Sequence, residues 1–316
     1  MNCTTCQNEA RRFGKDRKGN QRFQCLTCKK TFSEPREKPL GEMILAEEKA
    51  LSVLHHLVEG CSIRSTERIT GVEKRTILNL LILIGEKCER LMNERVKGIR
   101  VDSVQCDEIW GYVGMKEKTK KRQGRDEEND LGDAYCFVAM EQFTKLILCW
   151  HLGRRTASDT VIFTEKLAVA TADHRFSITT DGFTPYRDAV VYSLGAKKVD
   201  FAQIIKIYGK REDDDHRYSP SEVIDIEKIP IYGEPALGLA TTSHIERQNK
   251  TIRMSMRRMT RLTDAFSKKW FNLYCAYALQ FAYYNFCRVH MTLRVTPAME
   301  AGITDHIWTL KELIAA

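Results

Sequence analysis

The spacing of apolar positions changes near Val101. Before that point apolar residues fall three and four apart. Ile44, Leu51, Leu54 and Leu57-Val58 make one stripe, which predicts a helix over 43–58 ended by Gly60. Ser62 can cap a short helix from Ile63 to Ile69. Thr70-Gly71-Val72 reads as a turn, and Glu73 to Arg90 as a longer helix. After Val101 the residues turn to Val, Ile, Trp and Tyr. Strands are predicted over Val101–Met115, Ala134–Met140 and Lys145–Leu152, then a helix over Ser158–Thr171 and a strand over Phe176–Asp181. Phe183–Val191 reads as a helix and Lys197–Tyr208 as a strand. A basic helix starts at Thr242-Ser243, and an aromatic-rich helix spans Phe266–Cys287.

Between these elements lie two charged stretches. Lys116–Asp133 reads as a surface loop. Residues 209–240 read as a polar insertion with short β pieces at Val223–Ile226 and Ile229–Tyr232, and its acidic Asp213–Asp215 reads as solvated loop charge. Pro35 and Pro39 mark a linker. Four segments follow: 1–38, 41–95, 98–262 with its insertion at 209–240, and a helical 263–316.

Short helix, Gly-containing turn, longer helix is the helix-turn-helix pattern. It places Lys74, Arg75, Thr76 and Asn79 early on the third helix, where base-edge contacts are usually made. An ordinary helical hairpin is the alternative. Upstream, Cys3-x-x-Cys6 and Cys25-x-x-Cys28 flank a short basic loop, the spacing of a four-thiolate Zn²⁺ site. A segment this short needs a metal to fold. The basic residues around it, Arg11, Arg12, Lys15, Arg17, Lys18, Lys29 and Lys30, either grip DNA phosphates or keep a small unit soluble.

Composition narrows the partner. A net charge of +8 over 316 residues favours an anionic partner, nucleic acid or a membrane surface. No apolar run reaches the ~20 residues needed to span a bilayer. The start of the chain is polar, without a secretory apolar stretch. Eleven cysteines, odd in number and mostly scattered, argue against a disulfide framework and for a cytoplasmic, thiol-reducing setting; a DNA partner there would make the protein nucleoid-associated.

Three acids stand where chemistry can use them. Asp107 lies in the first strand after Val101, and adjacent strand residues face opposite sides, so Glu108 is not expected to share its site. Asp181 ends the fourth strand, released by Gly182. Glu246 lies on the basic helix with Asn249, Lys250 and Arg253 on one face. Carboxylates hold hard divalent ions, and the cations, with Arg257 beyond them, suit phosphates. Strand–strand–strand–helix–strand–helix, with acids at these positions, describes an α/β, RNase H-like mixed sheet flanked by helices. It is preceded by a small zinc ribbon and a helix-turn-helix.

The sequence resembles the DDE transposases, most closely the insertion-sequence-one family. The matching pieces are the double CxxC, the helix-turn-helix, Asp107-Glu-Ile-Trp-Gly-Tyr-Val-Gly114, Asp181-Gly-Phe-Thr-Pro-Tyr186, His244-Ile-Glu-Arg-Gln-Asn249 and Ser267-Lys268. A related zinc-ribbon family shares this core. The resemblance implies a catalytic triad of Asp107, Asp181 and Glu246 holding Mg²⁺ or Mn²⁺, with Asn249 and Arg253 as DNA contacts. It implies cleavage at element ends that frees a 3′-hydroxyl, transfer to target DNA, and at least a dimer on double-stranded DNA. A non-catalytic DNA-binding regulator and a nuclease that cuts without joining are the rival readings.

Overall fold

The computed structural model describes residues 1–16, 19–33, 39–209 and 223–316. They form two compact units, Met1–Glu42 and Met43–Ala316. In the first, β1 (Ala10–Lys15), β2 (Gln21–Cys25) and β3 (Thr31–Ser33) make an antiparallel ribbon in that order. Its apolar interior is small: Ala10 and Phe23 are buried, and Phe23 stacks on Phe32 at 6.0 Å. Arg17, Lys18 and Pro35 lie outside the described residues.

The second unit opens with α1 (Glu47–Val58), α2 (Ile63–Thr70) and α3 (Lys74–Arg95). Each boundary has a local cause. Ser62 Oγ accepts from Ser65 N–H and starts α2. Gly71, at φ 68°, ends it in the left-handed region that glycine adopts without strain. The Glu73 carboxylate accepts from Arg75 and Thr76 N–H and starts α3. The buried face of α3 runs Ile77, Leu80, Leu81, Ile84, Cys88, Leu91 and packs on α8 (Trp270–Phe286).

A six-stranded sheet fills the middle: β4 (Ser103–Val113), β5 (Gly132–Glu141), β6 (Ile147–Gly153), β7 (Phe176–Asp181), β8 (Val199–Tyr208) and β9 (Val223–Tyr232). Their order is β6-β5-β4-β7-β8-β9. The β6-β5-β4 meander is antiparallel, β7 and β8 run parallel to β4, and β9 returns antiparallel. This is the RNase H-like arrangement, with one added edge strand.

Residues opposite one another across strands share a face. Asp107, Val138 and Trp150 are in line, and Trp150 packs among Tyr274, Tyr277 and Phe281 of α8. Glu108, Phe137 and His151 line the other face. There Phe137 meets Phe163 of α5 (Ala157–Ala170) and Tyr186 of α6 (Tyr186–Leu194). α7 (Ser243–Ser255) crosses β4 on the α8 side. Four of the eight aromatics of the late helix are therefore core: Tyr277, Phe281, Tyr284 and Phe286 are buried, while Phe271 is exposed. A buried Asn285 bonds both the N–H and the carbonyl of Ile147, at 3.0 and 2.8 Å, satisfying the backbone of edge strand β6.

Two expectations change. The two β pieces of the insertion are one ten-residue strand, β9. Its side chains are mostly exposed on both faces, and its apolar alternation, Ile224/Ile226 and then Ile229/Ile231, changes phase at Glu227-Lys228, so it reads as two pieces. Pro230 is tolerated because β9 is an edge. The charged stretch after Val113 contains a short helix, α4 (Glu117–Arg122). Asp213–Asp215 lie outside the described residues. The chain closes with α9 (Pro297–Glu300) and α10 (Leu310–Ala315). Among the described residues, no helix is long and apolar enough to cross a membrane.

Candidate functional site

In the first unit, Cys3 and Cys6 lie in the turn before β1, Cys25 ends β2, and Cys28 lies in the following turn. All four sulfurs come within 4.8 Å of one another, with Cys3–Cys28 at 3.6 Å and Cys6–Cys25 at 3.4 Å. Sulfurs placed tetrahedrally at ~2.3 Å from Zn²⁺ stand roughly 3.8 Å apart, so the four fit that ion closely. Backbone N–H groups of Thr5 and Cys28 donate to Cys3 Sγ and Cys25 Sγ. Donation from Cys28 N–H is the main reason the Cys25 thiol is pushed down to about 6, favouring the thiolate that binds metal.

The second cluster sits at the end of the sheet where β4 and β7 part. Their pairing stops at Gln105 opposite Thr179, so Asp107 and Asp181 face a widening gap. One oxygen each of Asp107, Glu108 and Asp181 lies within 4.8 Å of the others. This overturns the expectation that strand alternation keeps Glu108 away. Glu108 does start on the α5/α6 face and Asp107 on the α7/α8 face. Beyond the last β4–β7 pair no neighbouring backbone separates the faces, and both carboxylates reach Asp181.

Each acid is held. Asp107 Oδ1 accepts from Glu108 N–H at 2.9 Å, and its Oδ2 accepts from Asn249 Nδ2 at 2.8 Å. Asp181 Oδ1 accepts from Phe183 N–H at 2.9 Å. Arg155 spans the gap, donating from Nε to Glu108 Oε2 at 3.1 Å and from Nη2 to Asp181 Oδ2 at 3.3 Å. Its guanidinium lies 4.1 Å from the Phe183 ring centre. Burial first, then the neighbouring carboxylates, pushes Asp107 up to about 7. Burial and Asp181 do the same to Glu108. Glu108 Oε1 is buried with no hydrogen-bond partner among the described residues. Crowded carboxylates with an orphaned oxygen are a donor set that fits a hard divalent cation.

Glu246 stands apart from this trio. It is near enough to act electrostatically on Asp107, but its Oε1 is taken by Lys206 Nζ and by the Thr242 hydroxyl. The start of α7 is held from outside the helix. Thr242, at the N-cap, caps nothing with its side chain. Gln105 Oε1 of β4 instead accepts from the N–H groups of His244 and Ile245, at 3.1 Å each. No local pattern in the sequence singles out Gln105, Arg155 or Lys206. Glu108 alone has a signal, lying beside Asp107.

Of the DNA-contact candidates, Lys74, Arg75 and Asn79 are placed at the start of α3, all three exposed, with Thr76 half-buried between them. Lys250 and Arg257 are exposed. Arg253 is half-buried and donates to the carbonyls of Met259 and Trp110, both at 3.0 Å. Lys74 and Arg257 line one cavity of about 670 Å³, with Arg64 and Lys268 also at its wall.

A scan against protein-family models finds no match, and a search of curated proteins finds none either. Among solved structures, the cryo-EM structure of a piggyBac transposase synaptic complex with hairpin DNA is similar at 9% identity. The match covers 89% of this chain and 72% of that one, with a TM-score of 0.38. A likeness at that score decides neither fold nor function.

Proposed function

We propose that this protein is a DDE-type transposase of an insertion sequence, cutting DNA at element ends and joining the freed 3′-hydroxyls to a target. The observation that carries the reading is the carboxylate cluster of Asp107, Glu108 and Asp181 at the open end of an RNase H-like sheet. Asp107, Asp181 and Glu246 are the residues proposed to hold Mg²⁺ or Mn²⁺. Bound divalent ions supply Lewis-acid stabilisation of charge on phosphate oxygens and activate the attacking hydroxyl or water.

The chain's own residues do the positioning. Asn249 fixes one oxygen of Asp107 and leaves the carboxylate facing the gap. Lys206 neutralises Glu246 until the site is filled. Lys74, Arg75, Thr76 and Asn79 present donors at the start of α3 to DNA, and Lys250 and Arg257 extend that contact past α7. Arg253 supports it from below by bonding Trp110 and Met259. The four-cysteine Zn²⁺ unit and the helix-turn-helix are the proposed readers of terminal repeats. Pairing of two ends requires at least two copies on DNA.

The test is a plasmid assay with purified, Zn²⁺-loaded protein on the gene's own flanks. Wild type and Glu246→Gln are compared with and without Mg²⁺, and 3′-hydroxyl ends and joined products are mapped. Wild type is expected to nick and join only with metal. Glu246→Gln is expected to bind the same DNA with cleavage reduced roughly 100-fold or more, as for loss of one metal-holding group. Cleavage by the variant near the wild-type rate overturns the triad. Nicks without joining point to a nuclease, and tight binding without cleavage by wild type points to a regulator.

A further inference from the structure

We propose that Glu108 is a ligand of the divalent-metal site that Asp107 and Asp181 begin, and that the Arg155 guanidinium keeps that place in the metal-free protein. The inference rests on the metal-dependent reading above and extends it to two residues outside the triad.

The Glu108 side chain is only 3% exposed, yet it has one oxygen with no well-formed hydrogen bond among the described residues. A buried carboxylate in that condition is costly unless a cation completes it. On that face Glu108 lies between Phe137 and the buried Tyr186, and the Tyr186 hydroxyl and Arg155 are the groups that favour its charged form among the described residues. That hydroxyl lies close enough to hold the Glu108 carboxyl down, yet neither it nor Glu108 Oε1 completes a well-formed hydrogen bond among the described residues. Glu108 belongs to the same 4.8 Å group as Asp107 and Asp181, on two strands that no longer pair. Oxygens adjacent around Mg²⁺, at ~2.1 Å from the ion, stand about 3 Å apart, so a modest closure of this group forms the shell.

Arg155 now occupies the approach. It gives one N–H to Glu108 and another to Asp181, at 3.1 and 3.3 Å, so neither carboxylate receives the two-pronged grip that makes an Arg–carboxylate pair strong. The side chain is 39% exposed and comes from the turn between β6 and α5. Stacking on Phe183 supports it without enclosing it. A single positive charge held by two long bonds at a half-open site is what a divalent ion can displace. Arg155 is then a free guanidinium beside the metal, at the place where a DNA phosphate must lie. Glu246, by contrast, already has Lys206 and Thr242, and it joins the site only after Lys206 lets go.

A merely structural ion pair and a place-holding cation differ in one measurable way. Removing a structural arginine lowers stability and leaves metal affinity unchanged or weaker. Removing a competing cation raises it. The experiment is a Mn²⁺ titration of the DNA-free full chain, Zn²⁺-loaded, followed by loss of the free-Mn²⁺ EPR signal. Wild type, Arg155→Gln, Arg155→Lys and Glu108→Gln are compared, each checked for its melting temperature, and the plasmid assay is run in parallel. Arg155→Gln is expected to bind Mn²⁺ about 5- to 10-fold more tightly while cutting DNA more slowly, with Arg155→Lys between it and wild type. Glu108→Gln is expected to bind at least ~10-fold more weakly.

Unchanged Mn²⁺ affinity in Glu108→Gln, with wild type still cutting, overturns the ligand assignment and leaves the transposase reading standing. Weaker or equal binding by Arg155→Gln overturns the place-holding role. Wild type that neither takes up Mn²⁺ nor cleaves overturns both the inference and the reading beneath it.

Discussion

Gln105 ties the candidate site together with one side chain. It is fully buried on β4, two residues before Asp107, and its carbonyl accepts the first free N–H groups of α7. A helix start is normally capped by its own flanking residue, but Thr242 gives its hydroxyl to Glu246. The strand that carries Asp107 therefore also sets where α7 begins, and with it where Asn249 and Glu246 lie. Gln105→Leu keeps the volume but leaves the buried Ile245 N–H and the partly buried His244 N–H unpaired, at a cost of about 1–3 kcal/mol that loss of the partnerless Gln105 amide nitrogen offsets only in part. Urea unfolding is expected to show that loss, with DNA cleavage falling further because α7 shifts. An unchanged midpoint would remove Gln105 from this role. At this scale the sequence made some residues visible and hid others. Asp181 before Gly182 and the four spaced cysteines are local patterns. Gln105, Arg155 and the true position of Glu108 depend on where β4 and β7 separate, a long-range fact that no local period encodes.

Helix α3 approaches α8 through Gly85. A Cβ built there falls 2.5 Å from Cys275 Cβ and 2.7 Å from its Cα, so accommodation requires backbone movement. Alanine in a helix interior usually gains about 1 kcal/mol over glycine. Here overpacking, at about 1–3 kcal/mol or more, opposes that gain, and Gly85→Ala is expected to lower the melting temperature. A raised melting temperature would mean the two helices can part freely. At the far end of the same bundle, α10 is held by a capping box between Thr309 and Glu312. The N–H of Thr309, first of several donors, holds the Glu312 carboxyl down to about 2. Folded α10 thus releases a proton that the unfolded segment keeps. Its stabilisation is complete above the ordinary carboxylate value of 4.5 and is lost as pH falls toward 2. Hydrogen-exchange protection factors in α10 are expected to drop over that range, and Glu312→Gln should remove the pH dependence. Elements of this kind were legible wherever one face is buried. The strand expected at 101–115 is β4 at 103–113, and the helix expected at 158–171 is α5 at 157–170. β9 was legible only as two short pieces, because its alternation, Ile224/Ile226 and then Ile229/Ile231, slips phase at Glu227-Lys228.

At the scale of the molecule, the two units have different reasons to be folded. Met43–Ala316 buries long apolar faces of α3, α8 and the central sheet, an interior that holds without a metal. Among its described residues, Met1–Glu42 has Ala10, Phe23 and Leu40 buried besides cysteines, too little for a chain near 40 residues to fold on hydrophobic burial alone. Its remaining resource is the ring of four sulfurs, where a bound Zn²⁺ converts binding energy into folding energy. Removing the metal is therefore expected to unfold one unit and spare the other. With a zinc-selective chelator, limited proteolysis should cut within residues 1–42 while the 43–316 fragment stays intact at its original melting temperature. Cys25→Ser should reproduce the effect without chelator, and DNA affinity in both cases should fall while metal-dependent nicking of unspecific DNA persists. A chelated protein whose first unit still resists protease would show that the sulfurs are not what holds that ribbon together. Loss of both units at once would show that Zn²⁺ supports the second unit as well, and that the two fold as one.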